Sequence, residues 1–591
     1  MYKKVKMVQR IAGCLMLKNE SQRIMVTLKT LQGFITGLIV FDTGSTDDTI
    51  KIAQDWCDEN KIPLHLKQGV FVDFSASRNV LLDFADTIEG YDFLLSLDCN
   101  DELQNGPKLL EECERFSKMP EKVFMVRQRW LSGTFINKYL NARLTKVNHG
   151  WRYKKRVHEY LAPPDGALLN RPNVSEEVVL YQNRNDDDDK THKRFVRDKA
   201  FLSEDVKEYG DSRDIFYLAQ TLSCLGEYDE ALAMYHRRSE ILEGFWEERF
   251  HSYLRSAELY ITKKNDLDTA IANYIKAAMI DFRAEPLVAL GKIYRERQDY
   301  MLSYMFLSAA CKLDYPHSNI LFVAERDYTF ERWQQLSIVC YYVNKFTEGR
   351  EALKMARQMN QDMEAHDKNE QFYIKAAEAK TPEIILFTTE EMPPELAEIG
   401  DNFINEGKQA IINKDLDMTI IKFLQAFQLS RNICPLLILA EYCRCVNANG
   451  LAYCLTKMCC SMEEPTNLPK SDKEYSYKRW HLLGILGYHV GRFKEGKEAC
   501  LKALKAAQNI SLDRSNLKFY LDREKSKIPD TNKPSEKVTP SEKVTPSEPS
   551  KKETISQYKE HRIPELMALN PKMNIRQATA KSQLEWKLSK K

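Results

Sequence analysis

The chain has 591 residues, which at about 150 residues per domain predicts about four domains. Its 87 Lys and Arg residues nearly balance its 85 Asp and Glu residues, so the net charge of +2 gives no overall attraction to nucleic acid or acidic membranes. With 43% hydrophobic and 29% charged residues, the composition is that of a globular protein in which any disorder must be local.

The sequence shows no sign of secretion or of a membrane span. The basic start is followed by an apolar run that breaks at 18–20, which is too short for a signal-peptide core. No window approaches the ~18 uninterrupted apolar residues of a membrane helix. The 14 cysteines are scattered without paired Cys-x-x-Cys spacing, so we expect reduced, mostly buried thiols. These features predict an intracellular, cytoplasmic protein.

Residues 1–205 predict an α/β domain. Short β-rich runs alternate with helical stretches such as 47–59, whose apolar residues recur at helical spacing. The candidate strands are 11–17, 37–41, 64–67, 93–97 and 123–127. Strand–helix–strand alternation is typical of a Rossmann-like domain with a largely parallel sheet.

Residues 206–380 and 381–527 are nearly all helical, and the pattern repeats. A large residue next to a small one is followed at fixed spacing by an aromatic and another small residue. Four copies start at Leu218-Ala219, Leu290-Gly291, Leu336-Ser337 and Leu483-Gly484. Small residues at fixed positions let paired helices approach closely, and this pattern is typical of tetratricopeptide repeats. We therefore expect an all-α solenoid.

The remaining C-terminal residues divide into two segments. Residues 528–553 contain a Pro-Ser-Glu-Lys-Val-Thr tandem repeat without aromatics, which predicts a disordered, flexible linker. Residues 554–591 regain apolar residues and predict a small basic helical module. An amphipathic interaction helix and a DNA-binding element both fit it; its faint resemblance to HMG-box or YABBY-type helix pairs is the only pointer to nucleic acid.

Acidic residues follow the first two predicted strands. Glu20 lies just after the first strand and Asp42 ends the second. Because ligands of parallel sheets bind at the carboxyl ends of the strands, these carboxylates could accept hydrogen bonds from a ribose or a nucleobase. The residues that follow, Thr-Gly-Ser-Thr-Asp over 43–47, fit equally well a simple turn and helix cap.

A second group of polar residues follows the strand at 93–97. Asp98 and Asn100 offer carboxylate and amide oxygens, which suit Mg²⁺ or Mn²⁺, and such an ion can hold a diphosphate. Arg78 starts a predicted helix, where it could bind phosphate. His158 and Glu159 add an imidazole and a carboxylate, although His158 alone would fit a surface or core histidine equally well.

Together these motifs resemble the family-2 glycosyltransferases of GT-A fold. The branch in question opens with Lys-Asn-Glu (18–20), continues with Asp-Thr-Gly-Ser-Thr-Asp (42–47) and closes with a His-Glu pair (158–159). The resemblance covers about residues 11–200. With the stretch at 193–198 and the repeats that follow, the chain looks like the tetratricopeptide-bearing glycosyltransferases of large DNA viruses and some bacteria, which would place it in a host cytoplasm or a virion if it is viral.

The resemblance implies a role for each matching residue. Glu20 and Asp42 would bind the uridine part of a nucleotide-sugar, Arg78 would steady this donor, and Asp98 would serve both donor and metal. Asn100 and His158 would complete the site of a divalent cation, Mn²⁺ or Mg²⁺. Glu159 would be the general base of an inverting, hexosyltransferase-type reaction. The solenoid would hold a protein or glycan acceptor.

One departure from the family pattern leaves two outcomes open. The usual Asp-x-Asp metal motif reads Asp98-Cys99-Asn100 here, which removes a formal charge from the expected metal site. The chain is then either an active enzyme with altered metal affinity or a degenerate one. In the second case it would be a scaffold whose helical repeats bind peptide partners.

Overall fold

A computed structural model of the chain describes residues 9–132, 135–166, 170–183, 190–359, 363–383, 394–463, 470–506 and 511–525. The predicted linker at 528–553 and the basic module at 554–591 lie outside the described residues. The predictions for those two segments, including binding of nucleic acid, therefore stay predictions.

The N-terminal part is built on a mixed sheet. Its strands are β1 (Ile11–Leu17), β2 (Gly37–Asp42), β3 (Leu64–Gln68), β4 (Phe93–Leu97), β5 (Glu102–Gln104), β6 (Val123–Ser132), β7 (Phe135–Lys146), β10 (Val179–Asn183) and β11 (Val323–Ala324). They lie in the order β3-β2-β1-β4-β7-β6-β10-β5, with β11 paired to β7, and a separate two-stranded sheet joins β8 (Arg152–Lys154) to β9 (Tyr160–Ala162).

The predicted largely parallel sheet is right for its first half, and beyond it β6 and β10 form a further parallel pair. The pairs β1–β2, β2–β3 and β1–β4 are parallel, whereas β7 runs antiparallel to both β4 and β6. The first half has helices on both faces, so β1, β2 and β4 are almost entirely buried apolar runs, as expected of parallel strands. The hairpin of β6 and β7 carries more polar residues, which makes its pairing hard to read from the sequence.

Four helices pack on this sheet: α1 (Ile24–Leu31), α2 (Thr49–Asn60), α3 (Phe74–Ala85) and α4 (Gly106–Ser117). Two separate hydrophobic clusters fill the two faces. The start of α3 is fixed by its N-cap, because the side chain of Asp73 accepts a hydrogen bond from the amide of Ala76. This cap sets the rotation of α3 and directs Arg78 toward the end of β4.

From Lys190 onward the described residues are almost entirely helical. The helices are α5 (Lys190–Glu208), α6 (Ser212–Cys224), α7 (Tyr228–Glu240), α8 (Trp246–Leu259), α9 (Leu267–Ile280), α10 (Ala284–Glu296), α11 (Tyr300–Ala310), α12 (Glu325–Tyr328), α13 (Phe330–Tyr342), α14 (Phe346–Met359), α15 (Met363–Glu378), α16 (Pro394–Ile412), α17 (Leu416–Ser430), α18 (Cys434–Cys445), α19 (Asn449–Cys460), α20 (Lys470–His489), α21 (Phe493–Ala506) and α22 (Ser511–Lys525). A π-helical turn, Tyr260–Lys264, extends α8.

Consecutive helices pair as the repeat pattern predicts. The small residue of each copy lies where the two helices of a pair approach: a Cβ added at Gly291 would meet Leu307 at 2.4 Å, and one added at Gly484 would meet Cys500 at 2.8 Å. The predicted fold class, a Rossmann-like α/β domain followed by an all-α solenoid, is confirmed. The predicted domain boundaries stay predictions.

A segment of the helical region joins the sheet. Residues 313–325, the docking segment, connect α11 to α12, and within it β11 pairs with β7. Glu247 at the start of α8 accepts hydrogen bonds from the amides of Ile320 and Leu321 at 3.0 and 2.7 Å. Lys138 of β7 donates to Glu325 at 2.6 Å. The solenoid and the sheet are thus held together by backbone pairing as well as by ion pairs.

The cysteines agree with the sequence-based expectation. All 14 lie within the described residues, none of them forms a disulfide, and only Cys224 and Cys445 are exposed. Among the described residues, no helix combines the length and the apolar character needed to cross a membrane.

Candidate functional site

The ends of three neighbouring strands meet at one edge of the sheet. β1 lies between β2 and β4, with Leu17 opposite Asp42 and Leu15 opposite Leu97. Glu20, Asp42 and Asp98 therefore follow adjacent strand ends, as predicted. In open α/β sheets this is the edge at which ligands bind.

Asp98 is the centre of a chain of charged side chains. Its Oδ1 accepts a hydrogen bond from Arg78 Nη2 at 2.8 Å, and its Oδ2 accepts one from Arg143 Nη2 at 2.7 Å. Arg78 also donates from Nε to Oε1 of Glu159 at 2.6 Å. One guanidinium thus connects the predicted metal ligand Asp98 to the predicted base Glu159. We call Arg78, Asp98, Arg143 and Glu159 the charge cluster.

Two carboxylates and two guanidiniums balance each other in the charge cluster. Both guanidiniums are nearly buried, whereas about a third of the Asp98 side chain is exposed. Although burial opposes ionisation, the Arg143 and Arg78 guanidiniums hold the pKa of Asp98 well below its usual range. Asp98 is therefore ionised throughout the physiological range. Among the described residues, Oε1 of Glu159 accepts a hydrogen bond and Oε2 accepts none.

Asp101 cannot replace the missing charge at Asn100. It is fully buried and faces the turn itself, where its Oδ2 accepts from the amide of Asp98 at 2.8 Å and its Oδ1 from Gln182 at 2.7 Å. Burial raises the pKa of Asp101 to about 6. Asn100 lies half-buried in the same turn. The inward orientation of Asp101 rules out that role in this conformation.

His158 packs against the helical region. Its ring stacks on Tyr217 of α6, with 3.8 Å between ring centroids, and its carbonyl accepts a hydrogen bond from Arg213 at 2.9 Å. Burial, together with the Arg213 and Arg194 guanidiniums, lowers the pKa of His158 to about 3, so the imidazole is neutral at pH 7. Tyr217 covers one face of the ring, whereas the ring nitrogens point along the ring plane and are not covered by this stacking.

The loop that carries Glu159 is held by α5 and α6. Lys155 donates to Asp214 of α6 at 2.7 Å, and Arg156 donates to Asp205 of α5 at 2.6 Å. Both Lys155 and His158 adopt a left-handed backbone, with φ of 75° and 49°. Such a backbone is costly for residues with a side chain and persists only where the surroundings fix it. The first helices after the sheet therefore position the predicted base.

The loops after β1 and β2 hold each other. The amide of Asn19 donates to Ser45 Oγ at 3.0 Å, and the amide of Glu20 donates to Thr49 Oγ1 at 2.7 Å. Asp42 is fully buried; it accepts from the amide of Ser45 at 2.9 Å and from Gln68 at 3.2 Å. Asp42 thus acts as a turn-forming residue here, and contact with a nucleoside would require Gln68 to move. Its donor role, like that of Glu20, stays a prediction.

The predicted metal ligands do not form a coordination set in this arrangement. Both oxygens of Asp98 already accept hydrogen bonds from guanidiniums. No group of three or more His, Cys, Asp and Glu side chains suited to a metal ion occurs within the described ranges. The positive charge of two guanidiniums beside Asp98 opposes a cation there, and the metal role of Asp98, Asn100 and His158 stays a prediction.

Sequence reasoning missed Arg143. It lies 45 residues after Asp98, in the middle of β7, and is almost fully buried. The available signal was an arginine between the apolar residues Ala142 and Leu144 of a strand, because a buried charge needs a partner. That signal does not identify the partner, since the antiparallel pairing of β7 with β4 is not readable locally.

Comparisons with known proteins give remote structural likenesses. No family model matches the chain, and no curated protein matches its sequence. One similar solved structure is Staphylococcus aureus TarS 1–349 in complex with UDP-GlcNAc, at 14% identity and a TM-score of 0.27, covering 45% of this chain and 90% of that one. Another is the mannosyltransferase PcManGT from Pyrobaculum calidifontis with GDP-Man and Mn²⁺, at 11% identity and a TM-score of 0.26, covering 46% and 88%.

The helical region has likenesses of its own. Yeast Tom70 matches at 12% identity and a TM-score of 0.19, covering 57% of this chain and 80% of that one. The TPR2AB domain of yeast Sti1 in its pHSP90 complex matches at 11% identity and a TM-score of 0.18, covering 56% and 99%. Likenesses at these TM-scores carry no function over to this chain, whose chemistry must be read from its own residues.

Proposed function

We propose that this chain is a glycosyltransferase of the hexosyltransferase type, which moves a sugar from a uridine-linked nucleotide-sugar to a protein or glycan acceptor with inversion. The observation that carries the proposal is the charge cluster at the ligand-binding edge of the sheet. There the ionised Asp98 and the candidate base Glu159 share the guanidinium of Arg78.

Each member of the site has a role in this reaction. Glu20 and Asp42, at the neighbouring strand ends, bind the nucleoside, and Asp98 and Arg78 orient the donor. Glu159 takes the proton of the acceptor hydroxyl through its open Oε2 while that hydroxyl oxygen attacks the anomeric carbon. The bond from that carbon to the diphosphate breaks, and the nucleoside diphosphate leaves. Arg78 and Arg143 offer the positive charge that this leaving group needs.

The proposal includes binding of Mn²⁺ or Mg²⁺ near Asp98 only as a separate, testable part. The donor set does not fit a metal while both guanidiniums occupy Asp98, so the charge that this chain itself offers comes from arginine. Asn100→Asp should tighten the binding of a cation near Asp98, because it would restore a formal charge. Calorimetric titration of Mn²⁺ into the wild type and Asn100→Asp measures this directly.

The helical region is proposed to hold the acceptor. Its first helices, α5 and α6, contact the loop of Glu159 through Lys155 and Arg156, so an acceptor bound along the repeats would lie close to the base. Fourteen cysteines without a disulfide suit a reducing compartment, which supports the proposed cytoplasmic location.

The test of the proposal is a screen of nucleotide-sugars with the purified full chain. Release of nucleoside diphosphate is measured with Mn²⁺, with Mg²⁺ and with a chelator, for the wild type and for Asp98→Ala. We expect turnover of one donor and a loss of about 100-fold or more in Asp98→Ala. Lys199→Ala, which removes an ion pair with Glu227 away from the cluster, is the matched control. No turnover and no binding of any donor would contradict the proposal.

A catalytically degenerate scaffold is the second candidate, and one observation favours it. Asp98 is already neutralised by its two arginines, so the closed cluster is self-sufficient without a ligand. In that case the helical repeats would bind peptide partners. Peptide binding without binding of any nucleotide-sugar, in the same panel, would decide for the scaffold.

A further inference from the structure

We infer that the helical region from 246 to 525 is a tandem duplication of one helical unit, folded as an internal dimer of its two copies about a twofold axis. The first copy comprises α8 to α15 and the second α16 to α22. Apart from the short α12, each copy has seven described helices, and each helix has a counterpart at the same place in the other copy.

The sequence carries a period much longer than one repeat. Of the 25 residues at 332–356, twelve recur 147 positions later at 479–503. Before the α11–α13 connection the offset is 149: the helix-capping Asp266 corresponds to Asp415, and the left-handed residue Gln298 to Asn447. The difference of two residues falls in the connection that contains the docking segment. A chance similarity would not change its offset at a single connection between two helices.

The two copies repeat the same side-chain contacts. Arg332 donates to the carbonyls of Ala310 and Leu313, and Arg479 donates to those of Cys459 and Met462, their equivalents. Tyr304 donates to Glu348 at 2.6 Å, as Tyr453 donates to Glu495 at 2.7 Å.

In the third repeated contact, the hydroxyl of a tyrosine lies against the Cα of a glycine. A Cβ at Gly349 would meet the hydroxyl of Tyr373, and one at Gly496 would meet that of Tyr520. Each of these hydroxyls donates to a carbonyl of the preceding helix pair, at Ser337 and Gly484. Such matched details are expected of duplicated units rather than of unrelated helix pairs.

The copies meet through equivalent helices, which is the mark of a twofold interface. Helix α9 packs on its counterpart α17, and α11 on its counterpart α19. Asp268 accepts from Gln425 at 3.1 Å, and Lys276 lies 2.6 Å from Asp417. Asp417 is the equivalent of Asp268, and Gln425 is the equivalent of Lys276. The Lys276–Asp417 pair therefore joins the same two positions as the Asp268–Gln425 pair, with the first and second copies exchanged.

One contact lies on the axis itself. Cys454 Sγ lies 3.9 Å from the carbonyl oxygen of Met305, and these two residues occupy the same position in the two copies. A residue touches its own equivalent only at a twofold axis. If the copies followed each other as in a continuous solenoid, equivalent positions would be a whole unit apart. A single hydrophobic cluster extends across this interface.

Only the first copy has the residues that dock the sheet. Glu247, Arg283 and Glu285, which bind the docking segment, correspond to Leu396, Asn432 and Cys434. The interaction surface formed by α9 and α11 therefore fits a second copy of the same unit, whereas the sheet-binding surface is specific to the first copy.

Crosslinking in the full chain tests the twofold arrangement. We expect Lys276→Cys with Asp417→Cys to be joined by a short bis-maleimide, as we expect for Asp268→Cys with Gln425→Cys. The matched control Lys276→Cys with Gln425→Cys joins equivalent positions away from the axis and should give at least tenfold less product. Linked peptides are identified by mass spectrometry, which also distinguishes the products formed by the exposed native cysteines, Cys224 and Cys445. A dominant link between 276 and 425 would overturn the inference.

A second measurement tests whether the twofold axis passes between positions 305 and 454. Met305→Cys should form a disulfide with the native Cys454 on mild oxidation, detected in non-reduced peptide maps. Leu307→Cys, equally buried on the same helix but facing α13 and α14, should not bond to Cys454. Circular dichroism melting confirms that each variant is folded. Absence of the 305–454 bond in a folded variant would contradict an axis at this position.

Discussion

At the scale of single residues, the candidate site is a balance of buried charges. Asp98 forms ion pairs with the guanidiniums of Arg78 and Arg143, and Glu159 forms one with Arg78. A buried ion pair contributes little net stability, but removing one partner leaves an uncompensated charge. The same residues that would act on a donor therefore also hold the edge of the sheet together.

The first prediction concerns Asp98. Asp98→Asn keeps the shape of the side chain but removes the carboxylate that Arg143 pairs with and leaves Glu159 as the remaining partner of Arg78. We expect a loss of about 2–4 kcal/mol in the free energy of unfolding, measured with urea. Asp83→Asn, which weakens an exposed ion pair with Arg152, should cost about 0.5 kcal/mol. Equal effects of the two variants would contradict the buried balance.

The sequence predicted part of this site. The other part depends on three-dimensional contacts that no local sequence pattern reveals. Asp98 was expected at this edge because it follows a strand, and Arg78 and Glu159 were expected in the same site because the family resemblance implies it. The closure of the cluster by Arg143 was not expected, since it depends on β7 lying antiparallel to β4. The burial of Asp42 against Gln68 was not expected either, because it is a property of the three-dimensional turn.

At the scale of elements, the polar contacts that join the solenoid to the sheet are concentrated in two places. The docking segment adds a strand to β7, and α5 and α6 hold the loop of Glu159. The strand at 11–17 was predicted with its observed bounds because its apolar run is uninterrupted. β6 was predicted to end at 127, whereas it continues to Ser132 through polar residues. β11 lies about 180 residues from its partner, so no local pattern could have revealed it.

A pH dependence is expected at the docking segment. Burial raises the pKa of Glu247 to about 7 from an ordinary value near 4.5. The folded chain then binds this proton more tightly than the unfolded chain, so the contribution is fully present below about pH 4.5 and is lost as the pH rises toward 7. Relative to Glu247→Gln, the wild type should lose on the order of 3 kcal/mol of stability over this range. Urea unfolding of both proteins between pH 4.5 and 8 measures the difference, and a flat difference would refute it.

The anchoring of the Glu159 loop gives an element-scale prediction for activity. Lys155→Ala removes the ion pair with Asp214 and lets the strained loop relax, so the base is positioned less well. We expect kcat for the donor to fall about tenfold with little change in KM. Lys199→Ala, which breaks a helix-to-helix ion pair elsewhere, should leave kcat unchanged. If both variants lose activity equally, the loop anchor has no special role.

At the scale of the whole molecule, one charged site is coupled to a large helical region. The α/β domain followed by helical repeats was predictable from the spacing of apolar residues. Strand and helix spacing alternate over 1–205, whereas helix spacing alone continues over 206–527. The internal dimer of the repeats was not predicted from the sequence, because a period of 147 to 149 residues is hard to recognise among shorter repeats of the same kind. The site thus belongs to the sheet, while its support comes from helices that follow it in the chain.

The most direct test of the proposed function is the effect of Glu159→Gln on donor turnover and donor binding, measured together. If Glu159 is the base, kcat should fall about 100-fold or more while the Kd of the nucleotide-sugar, from calorimetry, stays within about twofold. Glu227→Gln, a carboxylate away from the cluster, should change neither. Unchanged kcat in Glu159→Gln would contradict the assignment of the charge cluster as the transfer site.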